Sequence, residues 1–234
     1  MKIMSVATNL VNVMNNIENA CNKVNRDLKD VTLIAVSKTK PNEMIMEAYN
    51  EGYRNFGENK AQEMKRKKEE LPDDINWHFI GHLQTNKVKY VVGNAVLIHS
   101  VDSLHLAEAI SKESVKKNVI SDILIEVNVA KEETKFGLSL ENTENLVREI
   151  ATLQNIRVKG LMTIAPYTEN PESNREIFRN LRELLVDIKA KNIDNVSMDF
   201  LSMGMTGDYM VAIEEGANFV RVGTGIFGER NYSI

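Results

Sequence analysis

The stretch Leu33-Ile34-Ala35-Val36-Ser37-Lys38-Thr39-Lys40-Pro41 decides how the rest of the chain is read. Four apolar residues in succession predict a strand covered on both faces, the usual condition in a parallel sheet. Lys38 follows at the point where such a strand emerges. Pro41 stands where it can open a helix, because its missing N–H costs nothing at the first helical position. A charged amine in that place has two readings. It is either an ordinary solvated loop lysine or an amine of lowered pKa, held where a carbonyl compound reaches it to form a Schiff base.

Upstream, Val6, Leu10, Val13, Ile17, Cys21, Val24 and Leu28 recur at steps of three and four, which predicts a long amphipathic helix within residues 1–29. Downstream, short apolar runs alternate with helical stretches. Strands are predicted at 54–57, 76–80, 95–99, 122–129, 157–164, 196–201 and 218–222. Helices are predicted at 41–50, 59–70, 84–92, after an N-cap at Ser103, and at 141–153, 171–191 and 206–215. Eight strands alternating with helices is the arithmetic of a single (β/α)8 TIM-like barrel, here over residues 30–228 with an extra N-terminal helix. An open doubly wound sheet is the competing arrangement. No linker, low-complexity segment or internal repeat divides the chain.

Of 234 residues, 43% are hydrophobic and 26% charged, with a net charge of −4, which is ordinary for a globular protein and leaves no electrostatic footprint for nucleic acid. The run Lys65-Arg66-Lys67-Lys68 is followed at once by Glu69-Glu70 and reads as a solvated helix face. Cys21 is the only cysteine, so neither an intrachain disulfide nor a Cys-rich metal site is expected. Thr8, Asn9 and Asn12 interrupt the apolar start that a signal peptide needs, and no stretch approaches the ~18 apolar residues of a membrane span. A cytoplasmic protein is the expectation.

In (β/α)8 barrels the functional loops lie at the carboxyl ends of the strands, and phosphate sites commonly use the loops after strands seven and eight. Those loops read Leu201-Ser202-Met203-Gly204-Met205-Thr206 and Arg221-Val222-Gly223-Thr224-Gly225, rich in small residues and hydroxyls. The first leads toward a predicted helix N-terminus, which favours an anion. Closure makes strand one the neighbour of strand eight. An amine and a phosphate cradle side by side suit pyridoxal 5′-phosphate, whose aldehyde and phosphate occupy opposite ends of the molecule.

Seven motifs then carry a family resemblance: AVSKTKP (from Ala35), FGENKAQE (from Phe56), WHFIGHLQTNK (from Trp77), KFGL (from Lys135), GLMTIAP (from Gly160), LSMGMTGD (from Leu201) and RVGTGIFG (from Arg221). In this order, over nearly the whole chain, they resemble the pyridoxal phosphate homeostasis proteins, relatives of the alanine racemase N-terminal barrel. The resemblance implies that Lys38 carries the Schiff base and that Ser202, Gly223 and Thr224 hold the phosphate, with backbone N–H groups from Gly204 or Met205. It implies that Arg221 faces the pyridine nitrogen. Asn59 either contacts the ring hydroxyl or caps the charged helix after it. His82 and Gln84 either line the pocket or cap a helix. Thr206 stands where many relatives have serine. Lys40, Lys60, Lys87 and Lys135 read as surface lysines, with a second cofactor site at one of them left open.

The resemblance further implies a carrier that limits free pyridoxal phosphate and supplies apo-enzymes. No stripe of exposed aromatics offers an interface core, so a monomer is the expectation, with a weak dimer as the alternative. The alternative to the carrier is an amino-acid racemase using Lys38 as one base. Racemisation by two bases needs an acid/base group on each face of the substrate. In the racemases that resemble this barrel, the second is a tyrosine from a further C-terminal domain. Here the sequence stops six residues after Gly228 and marks neither Tyr209 nor Tyr232 as such a base, so the carrier is preferred. A sugar-phosphate enzyme with Lys38 as nucleophile would need an acid/base pair that the motifs do not supply. No catalytic residue and no metal ligand is assigned.

Overall fold

The apolar run forms β1 (Thr32–Val36), in which only Thr32 is less than fully buried. It pairs in parallel with β2 (Asn55–Glu58) on one side and β8 (Phe219–Val222) on the other. β3 (Asn76–Phe79), β4 (Leu97–Val101), β5 (Ser121–Glu126), β6 (Ile156–Met162) and β7 (Val196–Met205) complete a closed barrel with the strands in sequence order. The computed structural model describes residues 5–132 and 136–229, so Lys135 and Tyr232 lie outside the described residues. Closure removes the open sheet and its exposed edges, and so decides against the doubly wound arrangement.

Helices connect the strands on the outside: α2 (Asn42–Asn50), α3 (Ala61–Glu70), α4 (Val88–Val91), α5 (Leu104–Lys117), α6 (Leu140–Ala151), α7 (Arg175–Ala190), α8 (Tyr209–Glu214) and the single turn α9 (Thr224–Phe227). Each amphipathic helix lays its apolar stripe on the barrel's outer face, as Phe178, Leu181, Leu185 and Ile188 of α7 do. Burying such a side chain contributes about 1.5–3 kcal/mol relative to leaving it exposed. α1 (Val6–Lys23) precedes the barrel, and its stripe Val6, Leu10, Val13, Ile17 packs against α2, α8 and α9. It stops earlier than its apolar spacing suggests, because Asn25 turns left-handed (φ +54) and Leu28 begins a separate 3-10 turn. The helix predicted at 84–92 is likewise a 3-10 turn (Thr85–Lys87) followed by the one turn of α4. No described helix is long and apolar enough to cross a membrane.

One boundary difference matters for function. β7 continues to Met205, so Leu201–Met205 is strand rather than loop. Leu201 and Met203 pack outward into the main core, while Phe200 packs with Leu97, Leu124, Met162 and Phe219 inside the barrel. Strand alternation therefore sends Ser202 inward as well. The interior is crowded: a Cβ on Gly57 would lie 2.7 Å from Ile34 Cγ2 and 2.9 Å from Ile80 Cδ1. Toward the carboxyl ends this apolar filling gives way to His78, His99, Glu126, Ser202 and Arg221, all buried.

Candidate functional site

Register places Lys38. Ile34 is level with Arg221 and Ala35 with Val222 on the adjacent β8. A Cβ on Gly223 would lie 3.4 Å from Val36 Cβ and from the Val36 carbonyl oxygen, which makes Gly223 a neighbour of the end of β1. Lys38 comes two residues after Val36, in a turn, half-buried. The turn is closed by the Lys40 N–H donating to the Ser37 carbonyl at 3.0 Å. Lys40 itself is a brace: its ammonium donates to the carbonyls of Phe227, Gly228 and Glu229 at 2.9–3.0 Å, tying this turn to the end of α9.

Beside Lys38, the loop after β8 and the turn after β7 meet through their hydroxyls. Thr224 Oγ1 lies 3.3 Å from Thr206 Oγ1, and both residues are exposed. Thr224 opens α9, where the first N–H groups have no intrahelical acceptor. On the other flank of β1, Asn59 follows β2. Its Oδ1 is buried and has no hydrogen-bond partner. It does not cap α3, whose N-cap is Lys60 with no side-chain bond. The capping account of Asn59 is therefore set aside, and a buried acceptor is left facing no protein donor.

Inside the barrel, Arg221 donates to Ser202 Oγ at 2.6 Å and to the Thr163 carbonyl at 2.8 Å. Ser202 Oγ is 2.9 Å from His99 Nδ1, His99 Nε2 is 3.0 Å from His78 Nδ1, and His78 Nε2 is 3.4 Å from Asn55 Oδ1. A neutral imidazole has one donor and one acceptor nitrogen. One direction satisfies the whole chain: the serine hydroxyl donates to His99, His99 to His78, and His78 to Asn55. The reverse would leave the Ser202 proton without an acceptor. Both histidines are thereby neutral, and burial agrees. It pushes His78 down to about 4, and it holds His99 well below the usual range with help from His78 and Arg221. Burial lowers the Arg221 guanidinium only to about 10, Glu126 and Asp208 opposing it, so it stays charged at neutral pH. Glu126 is pushed up to about 7 by burial and by Asp102, with Arg221 pulling the other way.

These shifts have opposite consequences for stability. A histidine depressed in the folded state contributes stability above its ordinary pKa near 6.5, and that contribution is lost as pH falls toward 4. A raised Glu126 contributes most below its ordinary value near 4.5, and that is lost as pH rises through 7. For His78 the change from 6.5 to about 4 corresponds to roughly 3 kcal/mol, at about 1.4 kcal/mol per pKa unit. With two histidines against one carboxyl, urea unfolding midpoints are expected to fall from pH 7 to 4.5. In Glu126→Gln they should fall more steeply; an unchanged or shallower slope in that variant would contradict the assignment.

Ser202 sits inside the barrel, its hydroxyl engaged by Arg221 and His99. The Met205 N–H donates to Asp208 Oδ1 at 2.7 Å and is committed within its own turn. Gly204 is required by packing: its φ is +90, and a Cβ there would lie 2.6 Å from Ala212 Cβ on α8. Thr206, noted in the sequence only as a replacement for serine, is the rim hydroxyl that accompanies Thr224. His82 stacks on Phe136 at 3.8 Å and lies 3.6 Å from Asp102; Gln84 makes no capping bond. Lys60 is exposed and Lys87 half-buried, near the Tyr90 ring. Among the described residues no cluster of three or more His, Cys, Asp or Glu is placed to hold a metal ion.

Fold and mouth together define a (β/α)8 barrel with an amine at the end of β1 beside a hydroxyl-bearing rim. The family model described as alanine racemase, N-terminal domain, matches residues 8–231. A curated relative from Aquifex aeolicus, named pyridoxal phosphate homeostasis protein, is 50% identical over 98% of this chain and 100% of its own. Among solved structures, an unknown protein from Bifidobacterium adolescentis superposes with a TM-score of 0.89 at 35% identity, covering 95% of this chain and 94% of that one. PipY of Synechococcus elongatus, solved with pyridoxal phosphate bound, superposes with a TM-score of 0.79 at 33% identity, covering 91% and 100%. The chain belongs to the pyridoxal phosphate homeostasis protein family, within the alanine racemase N-terminal domain family.

Proposed function

We propose that this protein binds pyridoxal 5′-phosphate reversibly at Lys38 and serves its homeostasis, holding a reactive aldehyde and releasing it to apo-enzymes. The observation that carries the reading is the meeting, at one barrel mouth, of Lys38 with the Thr206–Thr224 rim and the bare Asn59 acceptor. The cofactor supplies an electrophilic aldehyde carbon, to which a lysine amine adds with loss of one water, reversibly. The donor set fits it. Thr224, Thr206 and the N–H groups at Gly223 and Thr224 suit a phosphate, and Asn59 Oδ1 suits a phenolic hydroxyl.

Arg221 favours holding over turnover. A guanidinium with a pKa near 10 keeps its proton at neutral pH, so it cannot protonate a ring nitrogen as a carboxylic acid does. Without that proton the ring is a weak electron sink. Three of the described tyrosines are engaged elsewhere: Tyr209 accepts from Asn16 Nδ2, Tyr49 donates to Asp74, and Tyr53 donates to the Leu33 carbonyl.

The test is transfer. Protein loaded with pyridoxal phosphate, freed of excess cofactor and mixed with a cofactor-dependent apo-enzyme, is expected to restore that enzyme's activity. It is expected to leave L-alanine unracemised. Interconversion of alanine enantiomers at ordinary turnover (~1–10³ s⁻¹) would replace the carrier reading with the racemase one.

A further inference from the structure

The turn that presents Lys38 is held from behind by a buried ionic cluster. Lys67 lies within the basic run of α3, yet its side chain is completely buried. Its ammonium donates to the Ser37 carbonyl at 2.8 Å, to Glu58 Oε1 at 2.8 Å and to Glu63 Oε1 at 2.9 Å, which engages all of its donors. Ser37 Oγ donates to Glu58 Oε1 at 2.6 Å. The Thr39 N–H donates to Glu63 Oε1 at 2.7 Å. Both neighbours of Lys38 are therefore bonded to one cluster, Ser37 through its carbonyl and hydroxyl, Thr39 through its N–H.

Stability is a poor explanation for this arrangement. A buried ion pair contributes little over a well-packed apolar replacement. Glu58 Oε2 is buried without a partner, a cost that an apolar core would not carry. Thr39 holds φ at +63, a left-handed conformation that β-branched residues rarely adopt. What the bonds achieve is a single backbone path through Ser37, Lys38 and Thr39. Fixing a nucleophile's origin matters for capture, since misplacement by about 1 Å can cost on the order of 10²-fold in a reaction between held partners.

We propose that Lys67, Glu58 and Glu63 are positioning residues for Lys38: they fix the Ser37–Thr39 turn so that the Lys38 amine meets the aldehyde carbon. The proposal rests on Lys38 being the attachment point. The bond concerned forms between Nζ and that carbon, the aldehyde oxygen departs as water, and no oxidant or reductant is required.

The experiment compares two ligands in the full-length protein. Pyridoxal 5′-phosphate reads attachment, through borohydride-trapped adduct on intact protein by mass spectrometry. Pyridoxine 5′-phosphate, with an alcohol in place of the aldehyde, reads the rest of the site by calorimetry. Lys67→Met and Glu63→Ala are expected to slow and weaken aldehyde capture roughly ten- to hundredfold while leaving pyridoxine phosphate affinity unchanged. Glu63→Gln, which keeps an acceptor for the Thr39 N–H, is expected to restore capture. Wild-type capture by both Lys67→Met and Glu63→Ala would overturn the proposal, and so would equal loss of both ligands, which marks a merely structural cluster. Should Lys67→Met not fold, Glu63→Ala decides, its parent side chain being 14% exposed. Wild-type protein that captures no aldehyde would overturn the parent reading, and this one with it.

Discussion

Substituting Lys38 by alanine is expected to abolish the yellow, borohydride-sensitive absorbance of the pyridoxal phosphate-loaded protein while leaving its thermal unfolding nearly unchanged. The loss should be complete, because the neighbouring amines are engaged elsewhere. Lys67 is buried against Ser37, Glu58 and Glu63, and Lys40 is bonded to three carbonyls at the end of α9. Neither can swing to the mouth without breaking those bonds. Stability is expected to change little because Lys38 lies in a turn outside the hydrophobic core. Pyridoxine 5′-phosphate should still bind, since the Thr206–Thr224 rim is untouched. A yellow Lys38→Ala protein would place the attachment on another lysine.

Gly81→Ala is the second large effect expected, and it acts through packing alone. A Cβ on Gly81 would lie 2.5 Å from Asn59 Cα and 2.8 Å from its carbonyl carbon, and would also strike its carbonyl oxygen. These are backbone atoms, so no side-chain rotation relieves the contact. The loop after β2 must shift, and overpacking of this kind costs about 1–3 kcal/mol, occasionally more. The shift carries Asn59 with it, and Asn59 supplies the buried bare acceptor of the site. Urea denaturation should therefore report a lower midpoint, and calorimetry a weaker affinity for pyridoxine phosphate. Unchanged values for both would mean that the two loops do not pack as described.

The barrel was readable because its signals are local. Each strand is a short apolar run, each helix an amphipathic one, and their alternation fixes the neighbourhood of β1 and β8. That count brings the Lys38 turn beside the Gly223–Thr224 loop. It does not reach the surroundings of Ser202, which bonds to His99, 103 residues away in sequence, and to Arg221, a strand away. A serine between apolar residues reads as a loop only if the barrel interior is assumed to be apolar, and here the interior near the mouth is polar. His78 and His99 stand in predicted strands, with nothing in their spacing to announce a pair between the neighbouring β3 and β4.

Lys67 is hidden for a different reason. The basic run around it reads as solvated, and charge composition alone cannot separate one lysine from the next. Periodicity could have done so. Ala61, Met64 and Lys67 recur at steps of three and are the buried residues of α3, so Lys67 continues an inward stripe. Its buried partner Glu58, in the next-door strand, was hidden for the same reason: each charge is tolerable inside only because the other is there.

The central claim is that Lys38 is where the aldehyde is held. It is tested most directly by loading the protein with pyridoxal 5′-phosphate, reducing with borohydride, digesting, and locating the adduct by mass spectrometry. A single phosphopyridoxyl group on Lys38, absent when pyridoxine 5′-phosphate is used instead, is the predicted result. An unmodified Lys38, whether the adduct lies on Lys40, Lys60, Lys87 or Lys135 or is missing altogether, would contradict it.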